Sequence, residues 1–250
     1  MMKIFVLIIC FLLTPAAFGN SDDIDTYFST LSALNRYSPL DGAGSHGGIG
    51  AQVAAGAGFT TISNVNPLID EQLQYGRVQT SPHDRTIVQP KLYLLKGLYA
   101  PVDIGATYSV LETRKISQLM GHIQWTIFEA FQLPALALRL NYGKFMGLYS
   151  SDFTSAGLDV VASMGFLRYF TVYADMGLQK NYGSLRVSKD QESAYIFQNP
   201  DFDQPYQSTQ ITRLAGLHVQ IMPAFAVAVL EAQDSANGLR TYHFKLGFGI

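Results

Sequence analysis

From Gly47 onward this chain alternates apolar and polar side chains with a period of two. That period marks a β-strand with one greasy and one wet face, because successive side chains point to opposite sides. In Val102 to Val110, Ile104, Ala106, Tyr108 and Val110 alternate with Asp103, Gly105, Thr107 and Ser109. In Gln118 to Ile127, Leu119, Ile123, Trp125 and Ile127 alternate with Gln118, His122, Gln124 and Thr126. Leu136 to Tyr142 and Phe170 to Gln179 repeat the pattern. Further strands are expected near 47–61, 86–96, 153–165, 209–222, 224–232 and 239–250, which brings the total to about ten. Crossing a bilayer at a tilt takes a strand of about 9–11 residues, close to the length of these segments.

The connections alternate in length. Those near 97–101, 129–134, 165–168 and 222–224 are short, whereas 62–85 and 180–208 are long and polar. Bacterial membrane barrels place short turns in the periplasm and long loops outside. An upward first strand assigns every short turn to one side, and an even strand count follows. Leu185-Arg186-Val187 and Ala194-Tyr195-Ile196-Phe197 could instead extend the flanking strands or form another pair, so twelve strands is the alternative.

Charged residues make up 14% of the chain, against about 25% in soluble domains. No segment after the N-terminus holds the run of about 18 apolar residues that a membrane helix needs. Low charge, 30 phenylalanines and tyrosines, and no spanning helix point to a transmembrane antiparallel up-and-down β-barrel. A soluble β-sandwich is the competing reading. The apolar turn Leu98-Tyr99-Ala100-Pro101 argues against it, as do apolar faces that persist through the whole set of strands. The formal net charge is −2 and no basic patch stands out, which argues against nucleic acid.

Residues 1–19 read as a signal peptide: Lys3, then the apolar run Ile4–Leu13, then Ala17-Phe18-Gly19 with cleavage expected before Asn20. The single cysteine, Cys10, lies inside that segment. An exported chain without disulfides is then expected. Residues 20–43 form an N-terminal helix and linker, and 44–250 the barrel. Ile24, Tyr27, Phe28, Leu31 and Leu34 share one helical face, with Ser21 or Asp22 as cap, and Ser38-Pro39 ends the helix. This helix is expected to plug the periplasmic end or to lie on the membrane surface. The final strand alternates Tyr242, Phe244, Leu246, Phe248 and Ile250. It is similar to the C-terminal signal of bacterial outer-membrane proteins, though those usually end in Phe. The barrel-assembly machinery is therefore an expected partner.

The phrases KGLYAPVDIGATYS, LPALALRLNYGKFMGL and SAGLDVVASMGFLRYFTVYADMGLQK resemble a family of small outer-membrane barrel proteins of Gram-negative bacteria. The hairpins of that family are similar to those of larger hydrocarbon and fatty-acid channels. The resemblance covers roughly residues 85–180 and implies fold and location only.

A barrel of about ten strands is narrow and filled mostly by side chains. The inward set is Gln89, Lys91, Tyr93, Asp103, Gln118, His122, Gln124, Arg139, Asn141, Asp159, Tyr173, Asp175, Gln179, His218, Gln220, Glu231, His243 and Lys245. Turn positions predict a row Gln124–Arg139–Asp159–Asp175, with Asp159 opposite Asp175. Adjacent carboxylates raise the question of acid–base chemistry. The simpler reading is a salt-bridged rung in which Arg139 offsets the acids. Glu231 is expected beside His243 at the outer mouth. Ser163 and Ser208 are the nearest hydrolase nucleophiles, and neither has an evident histidine partner; the spacing suggests no metal site and no cofactor. Tyr99, Trp125, Tyr142, Tyr242 and Phe248 are expected at the lipid interface. Arg213 should snorkel to headgroups or to lipopolysaccharide phosphates. The function expected is a structural barrel or a narrow passive channel for small solutes. A lipid- or peptide-acting enzyme and a surface-loop binding or adhesion protein are the alternatives.

Overall fold

The alternating segments form ten antiparallel strands, and the last pairs with the first. In chain order they are β1 Ala51–Val65, β2 His83–Gly97, β3 Val102–Val110, β4 Ser117–Phe128, β5 Ala135–Met146, β6 Ser151–Phe166, β7 Phe170–Arg186, β8 Asp203–Met222, β9 Phe225–Ser235 and β10 Arg240–Gly249. They are preceded by one helix, α1, Asp22–Leu34. The computed structural model describes residues 22–38, 41–65, 69, 73, 83–99, 101–111, 116–130, 134–148, 151–166, 169–186, 203–222, 225–235 and 239–249. The expected signal peptide and the segment Ala194–Phe197 lie outside these residues. Leu185 and Arg186 extend β7.

Strand β1 pairs with β2 on one side and β10 on the other, for example Gly56 with Lys91 and with Lys245. Closure leaves no unpaired edge, which a sheet in hydrocarbon requires. The period-two pattern then puts one face out and the other in. Leu119, Ile123, Trp125, Leu140, Val160, Val172, Ile211 and Leu246 are exposed on the outside. Gln118, His122, Gln124, Arg139 and Asp159 on the same strands are buried within. The chain is thus an all-β up-and-down barrel built for an apolar surround.

Helix α1 does not lie on the barrel's surface or close the short-turn end. It sits in the lumen at the long-loop end. Tyr27, Phe28, Leu31 and Leu34 are all but fully buried among Ile62, Val65, Ile87, Phe145, Phe153, Leu185 and Tyr206. Phe28 stacks on Tyr206 at 4.3 Å and 12°. Ile69 and Leu73, from the connection expected to be polar, complete this apolar cap. Greasy groups can be buried inside the barrel there because α1 packs them against one another and out of water.

Below α1 the chain continues down the lumen. Asn35 meets Ser155, Arg36 meets Asp159 and Asp175, and Asp41 meets Lys245. Ala43 meets Ser163, Ser45 meets Glu129, and His46 meets Asp103 near the short-turn end. Residues 22–38 and 41–46 therefore follow the lumen, and the chain passes through the exposed Gly48 and Ile49 to join β1 at its far end.

The plugged lumen as candidate functional site

Two glutamines of the wall finish the helix. The last turn of an α-helix leaves carbonyls without intrahelical partners. Gln118 Nε2 donates to the Leu34 carbonyl at 3.0 Å and Gln89 Nε2 at 3.5 Å. Ser32 of α1 donates to Gln210 and accepts from Asn181 and Gln179. These buried amides on four strands fix the depth of the helix.

Arg36 follows, 1% exposed. Its Nη2 donates to Asp175 Oδ1 at 2.9 Å and lies 3.2 Å from Asp159 Oδ1. The second contact is within ion-pair distance but not aligned as a hydrogen bond, and Asp159 Oδ1 has no hydrogen-bond donor among the described residues. Asn141 Nδ2 donates to Asp159 Oδ2 at 2.6 Å. Arg139 donates to Gln124 Oε1 through Nη2 at 2.7 Å and Nε at 3.1 Å, and to Asp175 Oδ2 at 3.4 Å. It also donates to the Asp41 carbonyl at 3.3 Å. Two guanidiniums and two carboxylates thus neutralise one another in a space too dry for isolated charge.

The expected row needs correcting at one step. Gln124 pairs with Arg139 and Arg139 with Asp159 in backbone register. Asp159, however, faces Gly177, and Asp175 faces Val161. The two acids are diagonal neighbours, and Arg139 reaches Asp175 instead of the Asp159 opposite it. The cation between the acids is Arg36, which sequence reasoning missed. No period marks Asn35, Arg36, Asp41 or His46 as lumen residues, because 35–38 and 41–46 are neither helix nor strand.

A second pair joins Asp41 to Lys245 at 2.6 Å, with Gln52 Oε1 also accepting from Lys245 at 2.8 Å. At the short-turn end His46 Nδ1 lies 3.1 Å from Asp103 Oδ2, and the His46 backbone N–H donates to the same carboxylate. Burial pulls the His46 pKa down. The hydrogen bond to Asp103 and the charges of Asp41 and Asp103 outweigh it and hold the imidazole above the ordinary histidine value.

The other expected lumen residues fall as follows. Lys91, Tyr93, Asn141, Tyr173, Gln179 and His243 are buried inside. His122 is buried against Tyr37, ring centroids 4.6 Å apart. His218 is partly buried where the pairing of β8 with β9 shifts register by an extra residue in β9. Gln220, expected inside, is exposed at the short-turn rim, where its backbone N–H donates to the Tyr169 carbonyl. His243 lies over Gly58 within the lumen. Glu231 is its backbone partner, and the Glu231 side chain lies outside the described ones. Ser163 Oγ accepts from the Ala43 N–H and Ser208 Oγ from Asn181. Among the described residues no group of three acids, histidines or cysteines is placed to hold a metal. Outside, Tyr99 is 96% exposed, and Trp125, Tyr142, Tyr242, Phe248 and Arg213 all face outward.

No protein family and no curated protein sequence matches this chain. Among solved structures it is similar to the outer membrane protein Ail of Yersinia pestis, with 10% identity over 81% of this chain and 99% of that one, at a TM-score of 0.33. It is also similar to the N-terminal β-barrel domain of Pseudomonas aeruginosa OprF, with 12% identity over 82% and 99% and a TM-score of 0.36. The porin KdgM shares 5% identity over 78% and 98%, with a TM-score of 0.37.

Proposed function

We propose that this chain is a Gram-negative outer-membrane β-barrel that is closed at rest by its own N-terminal segment, a structural, non-enzymatic barrel and not an open pore. The observation that carries this reading is the course of residues 22–38 and 41–46 along the lumen, with Arg36, Asp41 and His46 each paired to the wall. Short turns belong in the periplasm, so α1 caps the extracellular mouth and His46 lies at the periplasmic one. Cleavage before Asn20, lipopolysaccharide contact through Arg213, and recognition of β10 by the assembly machinery belong to the same reading.

One observation favours a gated passage for small polar solutes as the second reading. Arg36 Nε and Nη1 have no acceptor among the described residues. A buried donor left unmet costs about 1–3 kcal/mol, so the closed state is held less firmly than a fully bonded one. Displacing Arg36 would open a lumen already lined by Gln124, Arg139, Asp159 and Asp175.

Conductance in planar bilayers tests this. The intact chain should be silent, and a variant lacking 22–43 should give steps that shrink on Arg139→Ala. Should that deletion fail to fold, Gly42→Cys with Ser163→Cys serves instead. A Cβ at Gly42 would stand 2.9 Å from that of Ser163, near disulfide range after a small shift. Steady steps from the cross-linked, oxidised barrel would overturn closure by the plug.

A further inference from the structure

The outer wall carries a groove of about 380 Å³ at the short-turn end of β1, β2 and β3, lined by Ala51, Val53, Leu94, Lys96, Ile104 and Ala106. The register explains it. Ala51, Lys96 and Ile104 form one outward row, and Val53, Leu94 and Ala106 the next. An alanine at the end of each row leaves a depression between the branched side chains, of which Val53 and Leu94 are each 58% exposed.

Lys96 sets this groove apart. Its Nζ donates to the Ile49 carbonyl at 3.0 Å and the Gly48 carbonyl at 3.2 Å. An ammonium has three protons, so one donor remains for an outside acceptor. The two backbone contacts pin a cation that would otherwise wander on four methylenes. Ile49, whose carbonyl accepts from Lys96, is 87% exposed, and the exposed Tyr99 ring lies near Gly48, at the level where interfacial side chains meet headgroups. No carboxylate lines the groove. A second outer groove at the same end, lined by Pro134, Ala162, Met164, Phe166, Val172 and Ala174 among others, has about 340 Å³ and no charged residue in its lining.

We infer that the Lys96 groove binds one anionic glycerophospholipid of the inner leaflet, with its phosphate on Lys96 Nζ and an acyl chain along Leu94 and Ala106. An apolar slot ending in a fixed cation is complementary to a chain ending in a fixed anion. A zwitterionic headgroup brings its own ammonium to the same place and weakens the contact. The inference rests on the membrane-barrel reading above.

Native mass spectrometry of the folded barrel, released from bilayer discs of equal phosphatidylglycerol and phosphatidylethanolamine, tests it. The wild-type chain should retain phosphatidylglycerol in preference, and Lys96→Met should lower that preference about fivefold, the contribution of one lysine near a charged lipid surface. Ala106→Phe should fill the slot and remove the retained lipid, while Ala174→Phe in the uncharged groove should leave it in place. Equal retention by Lys96→Met, or loss on Ala174→Phe alone, would overturn the site and leave the barrel reading standing. Failure of the wild-type chain to insert, scored separately by its heat-modifiable mobility on gels, would overturn both.

Discussion

Asp159 and Gly177 face each other across β6 and β7, and the Asp159 carboxylate lies where a Gly177 side chain would stand. Gly177→Ala should push that carboxylate off Arg36 and Asn141. Overpacking of this kind costs about 1–3 kcal/mol. A thermal melt in detergent, followed by circular dichroism, should show a lower midpoint than wild type; an unchanged midpoint would mean that the carboxylate has room elsewhere.

Arg36→Ala leaves Asp159 and Asp175 buried with Arg139, 3.4 Å from Asp175, as the one cation paired with them among the described residues. Removing one partner of a buried pair costs about 3–5 kcal/mol. Adding Asp175→Asn should recover part of the loss, because it removes the stranded charge. Simple additivity in the double-mutant cycle, read by denaturant unfolding, would show that the two side chains do not interact.

The apolar cap predicts a loss of similar size from a different cause. Phe28 is fully buried between Phe153 and Tyr206, and its ring fills the space over Gly183. Truncating such a ring costs about 3–5 kcal/mol. Phe28→Ala should also raise protease sensitivity of α1 in the folded barrel. Full resistance with an unaltered melt would place the helix elsewhere.

The periplasmic pair predicts a pH dependence. The His46 pKa is raised in the folded state, so its pairing with Asp103 adds stability that is fully present below the unfolded value of about 6.5. That contribution fades as pH rises through the higher folded value. The melting-point difference between wild type and His46→Gln should therefore be largest at mildly acidic pH and shrink toward pH ~8. A difference that is flat across this range would remove the ion pair from the account.

Much of the barrel was legible because strand side chains repeat every two residues whatever the tertiary context. Leu119, Ile123 and Trp125 face out and Gln118, His122 and Gln124 face in, as alternation requires. The register of Gln124, Arg139 and Asp159 followed from turn lengths alone. The turn at 165–168 defeated the same arithmetic, because a two-residue slip there preserves the face and moves only the opposite partner, from Asp175 to Gly177. Gln220, expected inside, is exposed because it stands at the open rim, and alternation fixes a face but not a depth along the strand.

By itself the sequence determined the all-β class, the alternating strand pattern, the apolar outer face and the amphipathic helix, since each depends on neighbours two to four residues apart, while closure settled ten strands over twelve. Only the tertiary structure decided where that helix goes. Tyr27, Phe28 and Leu31 would suit a membrane surface as well as an apolar cap, and Arg36 shows no partner until β6 and β7 close around it. Its pairing with Asp175 spans 139 positions, and at that separation the geometry of closure, not local spacing, selects the contact.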